Sequence, residues 1–221
     1  MRLHIKTTPN SNIVSFDYQK KMVGRIHSWL GNNEEHGKLS LYSFSWLHKG
    51  HITSGGFDFP RGSQWFMSFY DDKLLKAVMA AVLKDPLMFD GLVVTDLNIE
   101  PVPDLSNRDL FYLGSPILIK RYEVGNPVTK YYTYEDLTAD DLMKETLLHK
   151  MEAAGLIPDE SVDIRFDREY ANKKIKYASY RGICNTSNMC PVYIFAKPET
   201  KEFAWNVGIG NSTGIGFGAI Y

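Results

Sequence analysis

The chain has 221 residues, of which 44% are hydrophobic, and its 25 basic residues are balanced by 26 acidic ones to a net charge of −1. This length suits one large domain or two small ones, and the composition is typical of a globular protein. The charge excludes a globally basic nucleic-acid-binding protein, so any nucleic-acid site has to be a local patch. Because no apolar run approaches the ~18 residues of a membrane span and the N-terminus lacks a secretory segment, we expect a cytoplasmic protein with no membrane partner.

Periodic patterns divide the first part of the chain into strands and helices. Alternating apolar and polar residues predict four strands, at residues 1–7, 38–47, 64–70 and within 88–100. Helical spacing of apolar residues predicts two helices, at residues 18–30 and from 71 or 72 to about 84. Residues 48–63 are rich in Gly, Ser and His, which favours a long loop. The resulting order, β-α-β-β-α-β, predicts a ferredoxin-like N-terminal domain over residues 1–100.

The second part of the chain repeats this pattern less completely. Two prolines and a polar run predict a linker at 101–114, after which a second domain occupies 115–221. It begins with a strand at 116–121 and continues with a helix at 135–154 and further strands at 161–167, 173–180 and 191–197. Residues 182–190 favour a hairpin tip, and no apolar run before Gly208 is long enough for a second helix. The pattern therefore predicts an α+β fold of tandem ferredoxin-like units, the second of them modified.

The chain ends in a glycine-rich loop in which Ile209, Ile215 and Phe217 alternate with glycines. Its five glycines are Gly208, Gly210, Gly214, Gly216 and Gly218. Glycine tolerates positive φ and close backbone approach, and exposed backbone amides attract phosphate oxygens. The segment lacks the Gly-Lys-Ser/Thr of a P-loop and the strand–turn–helix setting of a dinucleotide-binding fingerprint. A flexible tail or a tight hairpin is the plainer interpretation.

The spacing Gly208-Ile-Gly210, five residues, Gly216-Phe-Gly218 resembles the C-terminal motif of the CRISPR repeat-processing endoribonucleases, the Cas six family. The resemblance implies tandem ferredoxin-like domains and precursor CRISPR RNA as the substrate. It also implies cleavage within the repeat by the RNA's own 2′-hydroxyl, giving a 2′,3′-cyclic phosphate and a 5′-hydroxyl. No metal or other cofactor is implied. Other CRISPR effector subunits and a second copy of the chain are the further expected partners.

Residues 24–43 resemble the catalytic region of that family, in which a His or Tyr late in the first helix faces a loop His, often followed by a Lys. His27, His36 and Lys38 match those positions. Histidine suits the base and acid roles because its pKa lies near neutrality, and a lysine stabilises the charged phosphorane. The plainer interpretations are a half-exposed helix histidine, a loop histidine and a solvated lysine. His48 and His51 lack the additional ligands of a metal site.

Local basic clusters are the candidates for RNA binding. Together with the five glycines, the predicted RNA-binding residues are Arg25, Lys120, Arg121, Lys173, Lys174, Lys176 and Arg181. Tyrosines interleave with the last group, and tyrosine stacks on unpaired bases. A solvated charged face is the plainer interpretation. Two alternatives for the whole protein stay open: a non-catalytic RNA-binding subunit of a CRISPR effector complex, and a ferredoxin-like small-ligand or regulatory module.

Overall fold

A computed structural model describes residues 1–31, 39–122 and 129–221. The N-terminal half of these residues forms six strands and two helices. In chain order they are β1 (Arg2–Thr7), α1 (Gln19–Leu30), β2 (Tyr42–Phe44), β3 (His51–Thr53), β4 (Gly56–Asp58), β5 (Gln64–Phe69), α2 (Asp72–Lys84) and β6 (Val94–Glu100). Four of the strands form an antiparallel sheet in the order β2-β5-β1-β6. This strand order confirms the predicted ferredoxin-like unit.

Alternation along β1 gives the N-terminal sheet two different faces. Leu3 and Ile5 are buried in the core beneath α1 and α2, whereas His4 and Lys6 lie on the opposite, open face. The start of α2 is fixed by an N-cap. The side chain of Asp71 accepts a hydrogen bond from the backbone N–H of Lys73 at 2.8 Å. The prediction of a long loop at 48–63 is wrong, because these residues contain the hairpin of β3 and β4.

The C-terminal half contains seven strands and two helices within the described residues. They are β7 (Leu110–Phe111), β8 (Lys120–Tyr122), β9 (Thr129–Tyr131), α3 (Thr138–Ala153), β10 (Asp163–Phe166), β11 (Lys174–Tyr180), β12 (Ile183–Met189), β13 (Val192–Phe195) and α4 (Pro198–Val207). The central sheet runs β10-β13-β7, and the chain end adds a fourth position. There, the backbone groups of Tyr112 and Tyr221 exchange two hydrogen bonds of 2.9 Å.

This half is therefore a full ferredoxin-like unit into which the hairpins β8–β9 and β11–β12 are inserted. The expectation of a missing second helix is wrong, because α4 begins with Pro198 and ends before Gly208, whose φ is 75°. The predicted linker at 101–114 is too long, since it contains β7. The predicted hairpin tip at 182–190 is wrong, because residues 183–189 form strand β12. The tight turn consists of Arg181 and Gly182, with φ of 51° and 80°.

Arg2 lies between the two halves and contacts both of them. It is only 2% exposed. Its guanidinium carbon lies 3.9 Å from the ring centre of Phe66 and 3.6 Å from that of Trp205, so it is stacked between one aromatic ring of each half. It also donates hydrogen bonds to the Ser68 hydroxyl at 2.8 Å and to the Ile220 carbonyl at 2.6 Å. Burial lowers the pKa of Arg2 to about 9.

The glycine-rich segment lies between the two halves, and its close approaches explain its composition. The Gly218 N–H donates to the Pro116 carbonyl, and the Ile209 N–H donates to the Gly218 carbonyl, each at 2.8 Å. Gly216 lies against Phe44 of β2, where a Cβ atom would meet the ring. Lys150 of α3 is buried under the segment and donates to the carbonyls of Val207 and Gly208 at 3.2 and 3.1 Å.

The close approach at Gly218 is testable by equilibrium denaturation. Gly218 has a φ of 69°, and an added Cβ would overlap the Ile209 carbonyl oxygen. Gly155, just after α3, is a matched control, since its φ is 75° and a Cβ would meet nothing within 4 Å. We expect Gly155→Ala to lower the free energy of unfolding by roughly 1–2 kcal/mol and Gly218→Ala by about 1–3 kcal/mol more. Equal losses in the two variants would contradict this packing.

The buried Lys150 predicts a pH-dependent stability. Burial lowers its pKa from 10.5 to about 7. Between those values the unfolded chain binds one more proton than the folded chain, so the free energy of unfolding rises with pH, by up to roughly 1.4 kcal/mol per unit. Lys150→Met should lose this rise, and the exposed Lys76→Met on α2 should keep it. Denaturation curves from about pH 7 to about pH 10 measure it. If the free energy of unfolding depended on pH in the same way in the wild type and in Lys150→Met, this prediction would be wrong.

Candidate functional site

His27 lies in the last turn of α1 and is half-buried. Its backbone carbonyl accepts the hydrogen bond from Gly31 that ends the helix, at 3.1 Å. Met22, Ile26 and Leu30 are the buried face of this helix, so His27 lies at the edge of that face, as its spacing predicts. The predicted partners His36 and Lys38 lie outside the described residues. The grouping of these three side chains therefore stays a prediction.

Two of the predicted RNA-binding arginines connect elements of the fold. The guanidinium of Arg25 lies 2.8 Å from the Asp85 carboxylate, donates to the Asp85 carbonyl and stacks on Trp29. Arg121 donates to the Thr146 hydroxyl at 3.3 Å, and its guanidinium lies 3.2 Å from the Glu145 carboxylate. These contacts engage each guanidinium in packing, and the role of both arginines in RNA binding stays a prediction.

The glycine-rich segment is buried, in contrast to the exposed loop that its glycines predict. All five glycines are buried. The N–H groups of Gly208, Gly216 and Gly218 donate to backbone carbonyls within the protein. The argument that bare amides attract phosphate therefore fails at these three positions. The glycines are required because the backbone passes close to other backbone atoms and to aromatic rings, which is a constraint on packing.

The remaining predicted cations lie on or near the two inserted hairpins. Lys120 is half-buried in β8, and its N–H donates to the Asn211 side chain at 2.9 Å. Lys173 is half-buried beside Tyr170. Lys174 and Lys176 are exposed on β11, and Arg181 is exposed at the turn. The last three are available for contact with a charged ligand, and their role in RNA binding stays a prediction.

A cleft on the open face of the N-terminal sheet is the feature that sequence reasoning missed. It consists of two adjoining cavities of about 630 and 370 Å³ that share His4, His48, Phe66 and Glu100. His4 Nε2 lies 2.7 Å from Glu100 Oε2, and both side chains are 41% exposed. The outward position of His4 in the alternation of β1 is the signal that points to this face.

Aromatic rings continue this cleft into the C-terminal half. The successive centroid distances are 6.0 Å for His4–Phe66, 6.4 Å for Phe66–Tyr221, 6.2 Å for Tyr221–Tyr112 and 6.1 Å for Tyr112–Tyr170. We call these five side chains the aromatic run. Neighbouring rings meet at angles of 33° to 77°, and Phe66 is buried, whereas Tyr112 and Tyr221 are exposed and offer surfaces on which the bases of a single-stranded nucleic acid can stack. Arg108, at the border of the cleft, adds a cation beside them.

The part of the chain that the structure describes contains neither a cluster of metal-binding side chains nor a membrane-spanning helix. Outside residues 32–38 and 123–128, no group of three or more His, Cys, Asp or Glu side chains is arranged to hold a metal ion. Among the described helices, none is long and apolar enough to cross a bilayer.

Comparison with solved structures identifies the same fold in other proteins. The product of a Cas6-related gene from Pyrococcus furiosus superposes with a TM-score of 0.87 at 19% identity, over 100% of this chain and 97% of that chain. A RAMP protein described as binding different RNA substrates superposes with a TM-score of 0.86 at 20% identity, over 100% of this chain and 98% of that one. At these identities the likeness establishes the fold.

Sequence comparison identifies the family. The CRISPR-associated endoribonuclease-like protein Cas6nc of Pyrococcus horikoshii is 26% identical over 165 residues, and the similarly named Cas6 protein of Pyrococcus furiosus is 22% identical. In each case the alignment covers 70% of this chain and 66% of the relative's own length. The family model for the C-terminal part of the CRISPR associated protein Cas6 matches residues 100–221, which is more than half of the chain. The chain therefore belongs to the Cas6 family.

Proposed function

We propose that this protein binds precursor CRISPR RNA and cleaves it within the repeat, without a metal ion. The aromatic run is the observation that carries the RNA-binding part, because it crosses both halves of a Cas6-family protein along an open cleft. Its exposed rings, Tyr112 and Tyr221, suit stacked, unpaired bases, and the buried Phe66 holds the two halves of the run together. The cations Lys174, Lys176 and Arg181 would contribute phosphate contacts.

The proposed chemistry uses the nucleophile that the RNA carries beside its own scissile phosphate, so proximity is largely built in. A base removes the proton of the 2′-hydroxyl, and the oxygen then attacks the adjacent phosphorus. The bond from phosphorus to O5′ breaks as that oxygen accepts a proton from an acid. The products are a 2′,3′-cyclic phosphate and a 5′-hydroxyl.

Within this scheme His27 and His36 divide the base and acid roles, and Lys38 stabilises the charge that develops on the phosphorane. His27 is supported by its half-buried position at the edge of the buried face of α1, in the last turn of the helix. His36 and Lys38 rest on the sequence resemblance alone. The predicted association with other effector subunits, a second copy of the chain and a cytoplasmic location likewise remain predictions.

A second candidate function is that of a non-catalytic RNA-binding protein. The names of both Pyrococcus relatives call them endoribonuclease-like, and the RAMP protein is described by its binding of RNA substrates. The aromatic run needs no catalytic histidine, so it is equally compatible with this role.

Single-turnover cleavage of CRISPR repeat RNA in EDTA separates these candidates. The wild type should cut, and His27→Ala should slow the cut by roughly 10²- to 10⁴-fold with little change in affinity. His149→Ala is the control, because His149 is 70% exposed on α3, outside the proposed site, and it should cut at the wild-type rate.

Each other outcome has a distinct meaning. RNA binding without cleavage by the wild type would favour the non-catalytic role. Activity that is lost in EDTA and restored by magnesium would contradict the metal-free mechanism. Wild-type cleavage by His27→Ala would contradict the role assigned to that residue.

A further inference from the structure

A small aromatic cavity lies at the start of α1 and shares no lining residue with the cleft of the aromatic run. Its volume is about 190 Å³, and it is formed by residues 16–19, Trp46, Phe57 and residues 176–179 of β11. We call it the α1 slot. It is smaller than the ~300–1,000 Å³ of a typical drug-sized ligand site. The α1 slot therefore has room for one planar ring system.

Hydrogen bonds to the rest of the protein hold three of the residues that line the α1 slot. The indole N–H of Trp46 donates to the Gly216 carbonyl at 2.7 Å. The hydroxyl of the buried Tyr18 accepts from the Leu47 N–H at 3.1 Å. Phe57 is held by backbone hydrogen bonds to Val14 of 2.7 and 3.0 Å. Because the side chains of Trp46 and Tyr18 are already held in place, this wall of the slot is preorganised and needs little side-chain ordering when a ligand binds.

Two aromatic rings of the slot remain exposed to solvent. Phe16 is 51% exposed and Tyr177 is 67% exposed, although both line the cavity. Phe16 meets Phe57 edge to face, with a centroid distance of 5.1 Å. Exposed rings beside a preformed cavity offer faces for stacking that the folded chain leaves unused.

The charges around the slot match a nucleotide. Lys176 Nζ lies 5.9 Å from the ring centre of Trp46, and Lys20 and Arg181 line an open groove of about 590 Å³ that adjoins the slot. Asp17 and Ser179 line both spaces. Cations in the groove suit a phosphate. The Asp17 carboxylate repels phosphate and accepts hydrogen bonds, so it suits an amino group on a base or a ribose hydroxyl.

We propose that the α1 slot holds one unpaired nucleotide of the bound RNA, with its base among the rings and its phosphate on Lys20 and Arg181. The proposal rests on the proposed function. The slot adjoins Gln19 and His27 lies eight residues further along α1, about 12 Å along the helix axis at 1.5 Å per residue. A nucleotide anchored there sets which phosphate reaches His27, so the slot selects the cleavage position.

Fluorescence of 2-aminopurine tests the slot in the intact protein. Repeat RNAs that carry one 2-aminopurine at successive unpaired positions, and a 2′-deoxy sugar at the cut, are bound in EDTA. One position should be quenched by stacking. Phe16→Ala and Tyr177→Ala should abolish that response and weaken binding by roughly 5- to 150-fold, the effect of one stacked base.

The control is Phe195→Ala, a similarly exposed phenylalanine on β13 that lies outside the slot. It should leave the quenched position unchanged. RNA that binds with no responding position, or a response that Phe195→Ala removes equally, would overturn the slot while leaving RNA binding intact.

If the protein binds no repeat RNA, the proposed function fails and the slot is tested separately. Titration with the four nucleoside 5′-monophosphates, followed by intrinsic fluorescence, should then give a saturable response that Phe16→Ala removes. Absence of that response would overturn the slot as well.

Discussion

The two ferredoxin-like halves meet around the guanidinium of Arg2, which is stacked between Phe66 of one half and Trp205 of the other. A planar, delocalised cation can stack on two rings and donate hydrogen bonds at its edge, which an ammonium cannot do. Its bonds to Ser68 and to the Ile220 carbonyl fix the C-terminal strand against the N-terminal sheet. Since Phe66 also belongs to the aromatic run, the shape of the cleft depends on this contact.

The glycine-rich segment completes the same junction. Its residues hydrogen-bond to the C-terminal half through Pro116 and Leu118 and lie against Ser43 and Phe44 of the N-terminal sheet. Any larger residue at Gly218 would push the two strands of backbone apart. The motif by which the chain resembles its family is therefore explained by packing, and the proposed RNA contacts lie in the cleft and on the exposed hairpin.

Local rules predict much of the fold because most elements follow simple periodicity. The alternation along β1 and the Asp71 cap of α2 are examples. Helix α4 could not be predicted from the sequence, because buried polar residues interrupt its apolar pattern. Lys201, for instance, is 3% exposed and lies 2.6 Å from the Asp109 carboxylate. From the sequence alone such a lysine is predicted to be exposed, because its partner lies far away in the chain.

The candidate site was predictable only where it is local. His27 follows from the end of one helix, whereas the aromatic run joins His4, Phe66, Tyr112 and Tyr221, which no local pattern connects. Their proximity comes from sheet register and from the chain end returning beside Tyr112. The partners of Arg25 and Arg121 were equally invisible, since an ion pair across elements depends on helix and strand packing.

Hydrogen exchange with and without a 2′-deoxy repeat RNA tests most directly whether RNA contacts the cleft and not the glycine-rich segment. On this account the amides of Ile209, Gly216 and Gly218 are already protected in the free protein and do not change when RNA binds. Protection should increase instead along the edge of the cleft and in the hairpin β11–β12. Glycine-segment amides that exchange rapidly in the free protein and become protected only with RNA would contradict the account.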